Sequence, residues 1–403
     1  MDIYSEERQI LDSLKQETVP VVIYGALQSD EAIIAACNKL GIKIVCICDD
    51  SKRKAGNIWC GLQVYSFYDV IAKYEKVAFI VNISYLKPIV KKIEEAGSRW
   101  YSCKCIVHSD AFRKLSGIEE IEYDRTEAER ACFCHDNYLL PDKLYMSNVD
   151  VVVTERCSLR CRDCANLMQF YEKPNDYATG EVVNNIEKLI NVVDGIYELR
   201  FIGGEPFMNR ELHTIMKPFL KTDKVKNLLI YTNGTILPRQ DQWEVFSDSK
   251  IVFMITNYGE ELSRNFDKII QKLKEHSIKY HVLRMDYWNP CDTFDFHERT
   301  KKEQINIFKN CCVKNYVTLI RDRLYRCPYS AHAMNLHAVP WDEHDYFRLI
   351  DMDNISEAKG RLKDYLFEID GLNTCNYCNS RAFDSDLIPV AVQCGEPRKY
   401  YHY

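Results

Sequence analysis

Six apolar runs recur between residues 148 and 321: VDVVVTE, ELRFIGG, NLLIYTNG, KIVFMITNYG, KYHVLRM and NYVTLI. Helix-like stretches separate several of them. EVVNNIEKLINVV sets Val182, Val183, Ile186, Leu189, Ile190 and Val193 at i, i+3, i+4 spacing, the signature of one buried helical face. LHTIMKPFL and FDKIIQKLKEH read as further helices. Strands apolar on both sides that alternate with helices predict an α/β fold, a partial (βα)6 barrel of TIM type over 148–321. Chemistry in such a fold gathers at the carboxyl ends of the strands. Four unusual segments fall there: TERCSLRCRDCANL after the first run, then GGEP, TNG and TNYG.

A smaller alternation occupies residues 1–107. VPVVIYG, IKIVCICDD, VAFIVNI and CKCIVH read as strands, with DEAIIAACNKLG and LKPIVKKIEEAG as helices, predicting a small parallel, Rossmann-like sheet. Its first turn, YGALQSD, has one glycine where the dinucleotide fingerprint has three. Asp49 or Asp50 stands about where a ribose-binding acid would sit, although an Asp after a strand is also an ordinary turn residue. Residues 108–147 read as a linker or helical bridge. Its Cys132, Cys134 and His135 are poorly spaced for one metal. Residues 322–403 form a cysteine-rich C-terminal extension.

The chain carries 18 cysteines, a net charge of −6 and no basic block. Nucleic-acid binding is not indicated, because phosphate recognition needs a cationic surface. The start, MDIYSEERQI, is no signal peptide, and no apolar run reaches membrane-spanning length. A cytoplasmic protein is expected, where cysteine richness is not a disulfide framework. Cys37, Cys46, Cys48, Cys103 and Cys105 lie in apolar patterns and read as buried packing residues. Cys157, Cys161 and Cys164 do not. Three thiols in eight positions with no fourth nearby fit a metal site with one open position, and soft thiolates suit iron–sulfur clusters or zinc.

Cys157, Cys161 and Cys164 after a first barrel strand, with Gly203-Gly204-Glu205-Pro206 at the end of the second, resemble the radical S-adenosylmethionine (SAM) enzymes. The resemblance implies a 4Fe–4S cluster on the three cysteines, SAM chelated at the fourth iron, and the GGEP segment against the methionine amino group, with Glu205 accepting a hydrogen bond from it. Thr232-Asn233 and Thr256-Asn257 resemble the strand ends near the SAM ribose and the substrate. One departure is Asp163, where the family often has an aromatic residue. The implied chemistry is one-electron cleavage of SAM to a 5′-deoxyadenosyl radical that removes a substrate hydrogen. An electron donor such as flavodoxin or ferredoxin is implied as partner.

Cys312, Cys327, Cys375 and Cys378 resemble the ligands of the SPASM and twitch extensions of that family, implying a second 4Fe–4S cluster. Cys311 or Cys394 could replace one ligand, and a structural zinc is the alternative occupant. The N-terminal sheet resembles half-Rossmann domains found beside sugar-modifying enzymes, which implies a small-molecule substrate, a sugar, polyol or nucleotide-linked sugar that is oxidised, epimerised or rearranged. A peptide-modifying maturase is the alternative, and a zinc-stabilised binding protein without catalysis a third. Epimerisation would need a hydrogen donor, for which Cys291 is the candidate. His332, His337, His344 and Tyr329 stand as pocket or loop residues.

Overall fold

A computed structural model describes residues 3–116, 122–314, 316–349, 354–382 and 385–403. The chain divides into two compact units, 1–147 and 148–403.

In the first unit the strands are β1 (Val21–Tyr24), β2 (Ile44–Cys48), β3 (Ile58–Trp59), β4 (Leu62–Tyr65), β5 (Ala78–Val81) and β6 (Arg99–Ser102), in the order β3-β4-β2-β1-β5-β6. All neighbours pair parallel except the small β3–β4 hairpin. Alternate residues feed two cores. Val21, Ile23, Ala78 and Ile80 pack on one face with Ile33, Ala36 and Ile106. Val22, Tyr24, Phe79 and Val81 pack on the other with Phe67 and Val90. This double burial is why the strands read as continuous apolar runs. CKCIVH is not a strand: Lys104–Val107 is a helical turn, and the strand is the preceding RWYS. Alternating Cys and Lys imitates a period of two, while Cys105, Ile106 and Val107 are all buried. Cys132 and His135 lie on the helix Glu122–Leu139, where both are buried. His135 meets Ser102 Oγ at 2.6 Å and the Ile83 carbonyl at 2.9 Å, and burial lowers its pKa to about 4.

Asp30 and Asn82 stand at the carboxyl ends of this sheet. Asn82 Nδ2 donates to Ser29 Oγ at 2.8 Å and to Asp30 Oδ1 at 2.9 Å. Burial raises the Asp30 pKa from 3.8 to about 7. The native state therefore holds a proton that the unfolded chain releases above pH 4. This contribution to stability falls as pH rises from about 4 to 7, by a magnitude on the order of 4 kcal/mol. Hydrogen exchange of the β1 and β5 amides is expected to show protection declining across that window. Asp30→Asn is expected to flatten the slope.

The second unit is built on an eight-stranded sheet. Its strands are β7 (Tyr145–Val152), β8 (Gly195–Ile202), β9 (Val225–Thr232), β10 (Ile251–Thr256) and β11 (Lys279–Leu283). A two-residue strand β12 (Tyr287–Trp288) stands apart, and β13 (Thr318–Ile320), β14 (Arg323–Tyr325) and β15 (Tyr346–Arg348) complete the sheet. The order is β11-β10-β9-β8-β7-β13-β14-β15. The ladder from β8 to β11 is parallel, and β13 joins β7 in parallel before turning back into the antiparallel hairpin with β14. The sixth run thus sits beside the first rather than beyond the fifth, and the sheet is an open partial barrel. Near the chain's end β16 (Ile388–Pro389) pairs with β12. Among the described residues no helix is long and apolar enough to cross a membrane.

Candidate metal and cofactor centre

The loop after β7 carries the three cysteines. Cys157, Cys161 and Cys164 pack into one small cluster with Leu159, Tyr258, Trp288 and Ala391. Burial raises all three thiols, Cys161 to about 12, and the charge of Cys164 further opposes ionisation of Cys157 and Cys161. Three thiolates coexist in so dry a place only beside positive metal charge, which is the chemistry of an iron–sulfur site. Sulfur-directed donors are in place. Leu159 N–H lies 3.5 Å and Asn233 Nδ2 3.6 Å from Cys157 Sγ, and Gln393 Nε2 donates to Cys161 Sγ at 3.2 Å. The N–H groups of Met168, Asn166 and Leu167 serve Cys164. Among the described residues no three His, Cys, Asp or Glu side chains converge closely enough for a single ion. Ligands of a four-iron cluster bind different irons and need no such convergence.

The tail packs onto this loop. Arg160 N–H donates to Gln393 Oε1 at 2.8 Å, Arg162 N–H to the Val392 carbonyl at 2.7 Å, and Cys394 N–H to the Arg160 carbonyl at 2.8 Å. Cys394 therefore belongs beside the first cysteine set. Its placement corrects its candidacy at the second set, because the tail's backbone pairing with residues 160–162 holds it there.

Gly203 and Gly204 follow β8 and lie directly against that loop. A Cβ on Gly203 would stand 2.3 Å from the Thr154 carbonyl oxygen, and one on Gly204 2.3 Å from that of Arg156. Gly204 N–H donates to Thr154 O at 3.1 Å and Glu205 N–H to Arg156 O at 2.9 Å. The close approach these glycines permit is thus to the cysteine loop's own backbone. Glu205 is fully buried, and Pro206 opens the short turn after it. The Glu205 carboxylate accepts from Thr232 Oγ1 at 2.9 and 3.0 Å, from Asn233 N–H at 2.8 Å and from Phe207 N–H at 3.3 Å. All these donors are neutral, and burial lifts its pKa to about 7. Asn233 Oδ1 holds Thr235, and Ser158 Oγ touches Thr235 Oγ1, which ties the end of β9 to the cysteine loop.

Thr256 and Asn257 end β10. Asn257 Oδ1 accepts from Gly259 N–H at 2.8 Å. The next residue, Tyr258, is the one that reaches the cysteines. Its ring stands edge-on to Trp288 at 5.8 Å, and the charges of Cys161, Cys164 and Cys157 act on its hydroxyl. The sequence offered it inside TNYG without singling it out. Asp163, the departure from the family pattern, accepts from Arg162 Nε at 2.8 Å and from Cys291 N–H at 3.2 Å.

Below the rim, Glu198 and Arg200 occupy one face of β8 with Asp150 of β7 nearby. Arg200 donates to Glu198 at 2.7 Å, lies 3.7 Å from Asp150 Oδ1 and stacks its guanidinium over Tyr231 at 5.5 Å. All four charged or aromatic positions precede the cysteine, GGEP and TNG segments by a few residues. Sequence patterning missed this polar patch, because single charges inside apolar runs look like noise.

A second cavity is lined by Cys311, Cys327, Cys375, Cys378, Tyr329 and Arg381. Cys311 ends the helix Lys301–Asn310, Cys327 follows β14, and Arg299 Nη1 clamps the knuckle by donating to the Cys375 and Cys378 carbonyls at 2.6 and 2.7 Å. Cys312, the first choice from spacing, is not among the lining residues. Its Sγ lies 3.6 Å from Asn289 Oδ1 and its N–H donates to the Arg381 carbonyl at 2.8 Å. The chain turns at Cys312, and of the two adjacent thiols Cys311 is the one on the cavity wall. Hydrogen bonding from Cys312 favours the Cys311 thiolate and lowers its pKa. Cys291 is buried, its thiol raised to about 11, and feels both Cys164 and, through a shared neighbourhood, Cys378. His332 bonds Tyr171 at 2.9 Å, His337 accepts from Trp341 at 3.0 Å and His344 meets the Gly371 carbonyl at 3.0 Å, all structural contacts. In the first unit, Asp49 accepts from Ala26 N–H and Lys54, and Asp50 from Tyr24, Phe67 N–H and Lys92, so the chain's own donors already occupy both acids.

Residues 151–281 match the family model described as the radical SAM superfamily. A GTP 3′,8-cyclase of Clostridium acetobutylicum is 32% identical over 96 residues, 23% of this chain and 30% of that protein. The mitochondrial GTP 3′,8-cyclase of Arabidopsis thaliana is 25% identical over 173 residues, 39% and 44% respectively. This chain therefore spans less than half the length of these two curated relatives. Among solved structures, BtrN in complex with AdoMet and 2-DOIA aligns with a TM-score of 0.34 at 15% identity, covering 64% of this chain and 99% of that one.

Proposed function

We propose that this chain, a radical SAM enzyme, holds its 4Fe–4S cluster on Cys157, Cys161 and Cys164 and SAM against Glu205, and takes a hydrogen atom from a sugar, polyol or nucleotide-linked sugar. The observation that carries the reading is a buried carboxylate with only neutral donors, set beside one buried and two half-buried thiols at adjoining strand ends. When bound, cluster and SAM supply a 5′-deoxyadenosyl radical. The chain supplies the rest. The three thiolates carry the irons, and Gln393, Asn233 and the 166–168 amides spread negative charge from the sulfurs. Glu205 receives the ammonium of SAM, a cation that its buried site otherwise lacks. Tyr258, Trp288 and Ala391 keep water from the cysteines. Arg200, Glu198 and Asp150 form a buried charged group beneath the rim.

The substrate class rests on the curated relatives, whose name makes GTP, a sugar-bearing nucleotide, their substrate. Incubation with candidate deuterated sugars and nucleotides is expected to move deuterium into 5′-deoxyadenosine. Transfer only from a peptide would overturn the substrate class. The four thiols of the second cavity, Cys311, Cys327, Cys375 and Cys378, fit a second 4Fe–4S cluster, with Cys311 preferred to Cys312. Iron rather than zinc after removal of the first three cysteines supports that assignment.

Glu205→Gln keeps the shape and removes the charge. SAM affinity is expected to fall roughly 10- to 100-fold, the worth of one charge-assisted hydrogen bond. Equilibrium dialysis checks this, with iron content unchanged.

A further inference from the structure

Arg381 follows the Cys375–Cys378 knuckle by three residues and is 7% exposed. Its Nε and Nη1 have no hydrogen-bond partner. A buried guanidinium with open N–H groups is costly unless an anion meets it. The groups that act on it are cysteine sulfurs: Cys291, Cys312, Cys378 and Cys327. It lines the same cavity as Cys311, Cys327, Cys375 and Cys378. The cavity's hydroxyls are already committed: Tyr329 shares its proton between the Thr293 and Tyr377 carbonyls at 2.9 and 2.8 Å, and Ser330 Oγ meets Thr374 Oγ1 at 2.9 Å, while Lys314 is a second cation on the wall. Arg381 also acts on Cys164 of the first set, but the cavity it lines is that of the second, and an anion held there would meet its open N–H groups.

We propose that Arg381 is the counter-charge of the second cluster: from the cavity wall its guanidinium stabilises the reduced state and raises the reduction potential. This rests on the reading of the second cavity as a 4Fe–4S site. A cubane held by four thiolates goes from a net charge of about −2 to −3 on accepting one electron from the titrant. A fixed, desolvated cation favours the more negative state. Arg381 is in these terms a positioning residue for charge, and it leaves all four ligands in place.

The test uses the full chain with Cys157, Cys161 and Cys164 replaced by alanine, so that only the second cluster contributes. In this background Arg381→Gln and Arg381→Lys are compared by iron content and by anaerobic redox titration followed by electron paramagnetic resonance. The parent is expected to hold about four irons. Arg381→Gln is expected to keep them while its equilibrium constant for reduction falls at least tenfold, about 59 mV for a one-electron couple. Arg381→Lys is expected to recover most of that loss. Should Arg381→Gln shed iron, retention by Arg381→Lys with a near-parental midpoint still supports charge. Equal iron loss in both variants, or an Arg381→Gln midpoint within twofold of the parent, overturns the proposal. An iron-free parent instead removes the cluster reading of the cavity, and the role of Arg381 with it.

Discussion

Cys161→Ala eliminates 5′-deoxyadenosine formation, a fall of at least roughly a thousandfold, and lowers iron by one cluster's worth. Cys161 is 7% exposed and stands amid apolar side chains, so its loss removes a ligand without opening a cavity of consequence. Without it the remaining two thiols of the loop cannot hold a cube that needs three corners fixed. Cys394, nearby on the tail, is tied by its backbone to Arg160. Because ligation is all or none for turnover, the effect on rate is expected to exceed any effect on stability. Iron analysis and a single-turnover assay with SAM check it, and circular dichroism is expected to match the parent. Retained cleavage in this variant would remove Cys161 from the ligand set.

Gly204→Ala is expected to be the most damaging methyl group that can be added near the site. Its Cβ would lie 2.3 Å from the Arg156 carbonyl oxygen and 2.6 Å from Cys157 Cβ. Both neighbours are bound to backbone, so neither can swing away. The loop must shift, and the 2.9 Å hydrogen bond from Glu205 N–H to Arg156 O goes with it. The cost is on the order of 3 kcal/mol. For a unit of this size the melting temperature is expected to fall by roughly 5–10 °C. Cleavage falls further than stability, by roughly a hundredfold or more, because the shift separates Cys157 from Glu205. Gly180→Ala is the control. It lies in the helix Thr179–Val192 with nothing within 4 Å of the added methyl, and is expected to stabilise by up to about 1 kcal/mol. Parental melting and activity in Gly204→Ala would show that the loop has room the geometry denies.

Much of this architecture was legible because periodic burial writes itself into the chain. The apolar runs at 78–81, 195–202 and 251–256 became strands, since residues buried on both faces leave no polar alternation to misread. The polar strand ends were legible too, because a turn that carries function breaks an apolar run abruptly. What stayed hidden depends on contacts distant in sequence. Gln393 reaches Cys161 across 232 positions, and no local pattern announces it. Arg381 is one arginine in an irregular segment. Which of Cys311 and Cys312 faces the cavity is a matter of one residue's direction, and spacing alone treats the two alike. CKCIVH misled because its polar and apolar residues alternate in a stretch that tertiary packing makes helical. Tyr258 was overlooked because Asn257 beside it matched the expected pattern better.

The account is tested most directly by reconstituting the intact protein anaerobically with iron and sulfide, then adding SAM and a strong reductant. It is expected to turn brown, to hold iron that depends on Cys157, Cys161 and Cys164, and to release methionine and 5′-deoxyadenosine in equal amounts. A colourless protein that binds no iron and leaves SAM intact would contradict it.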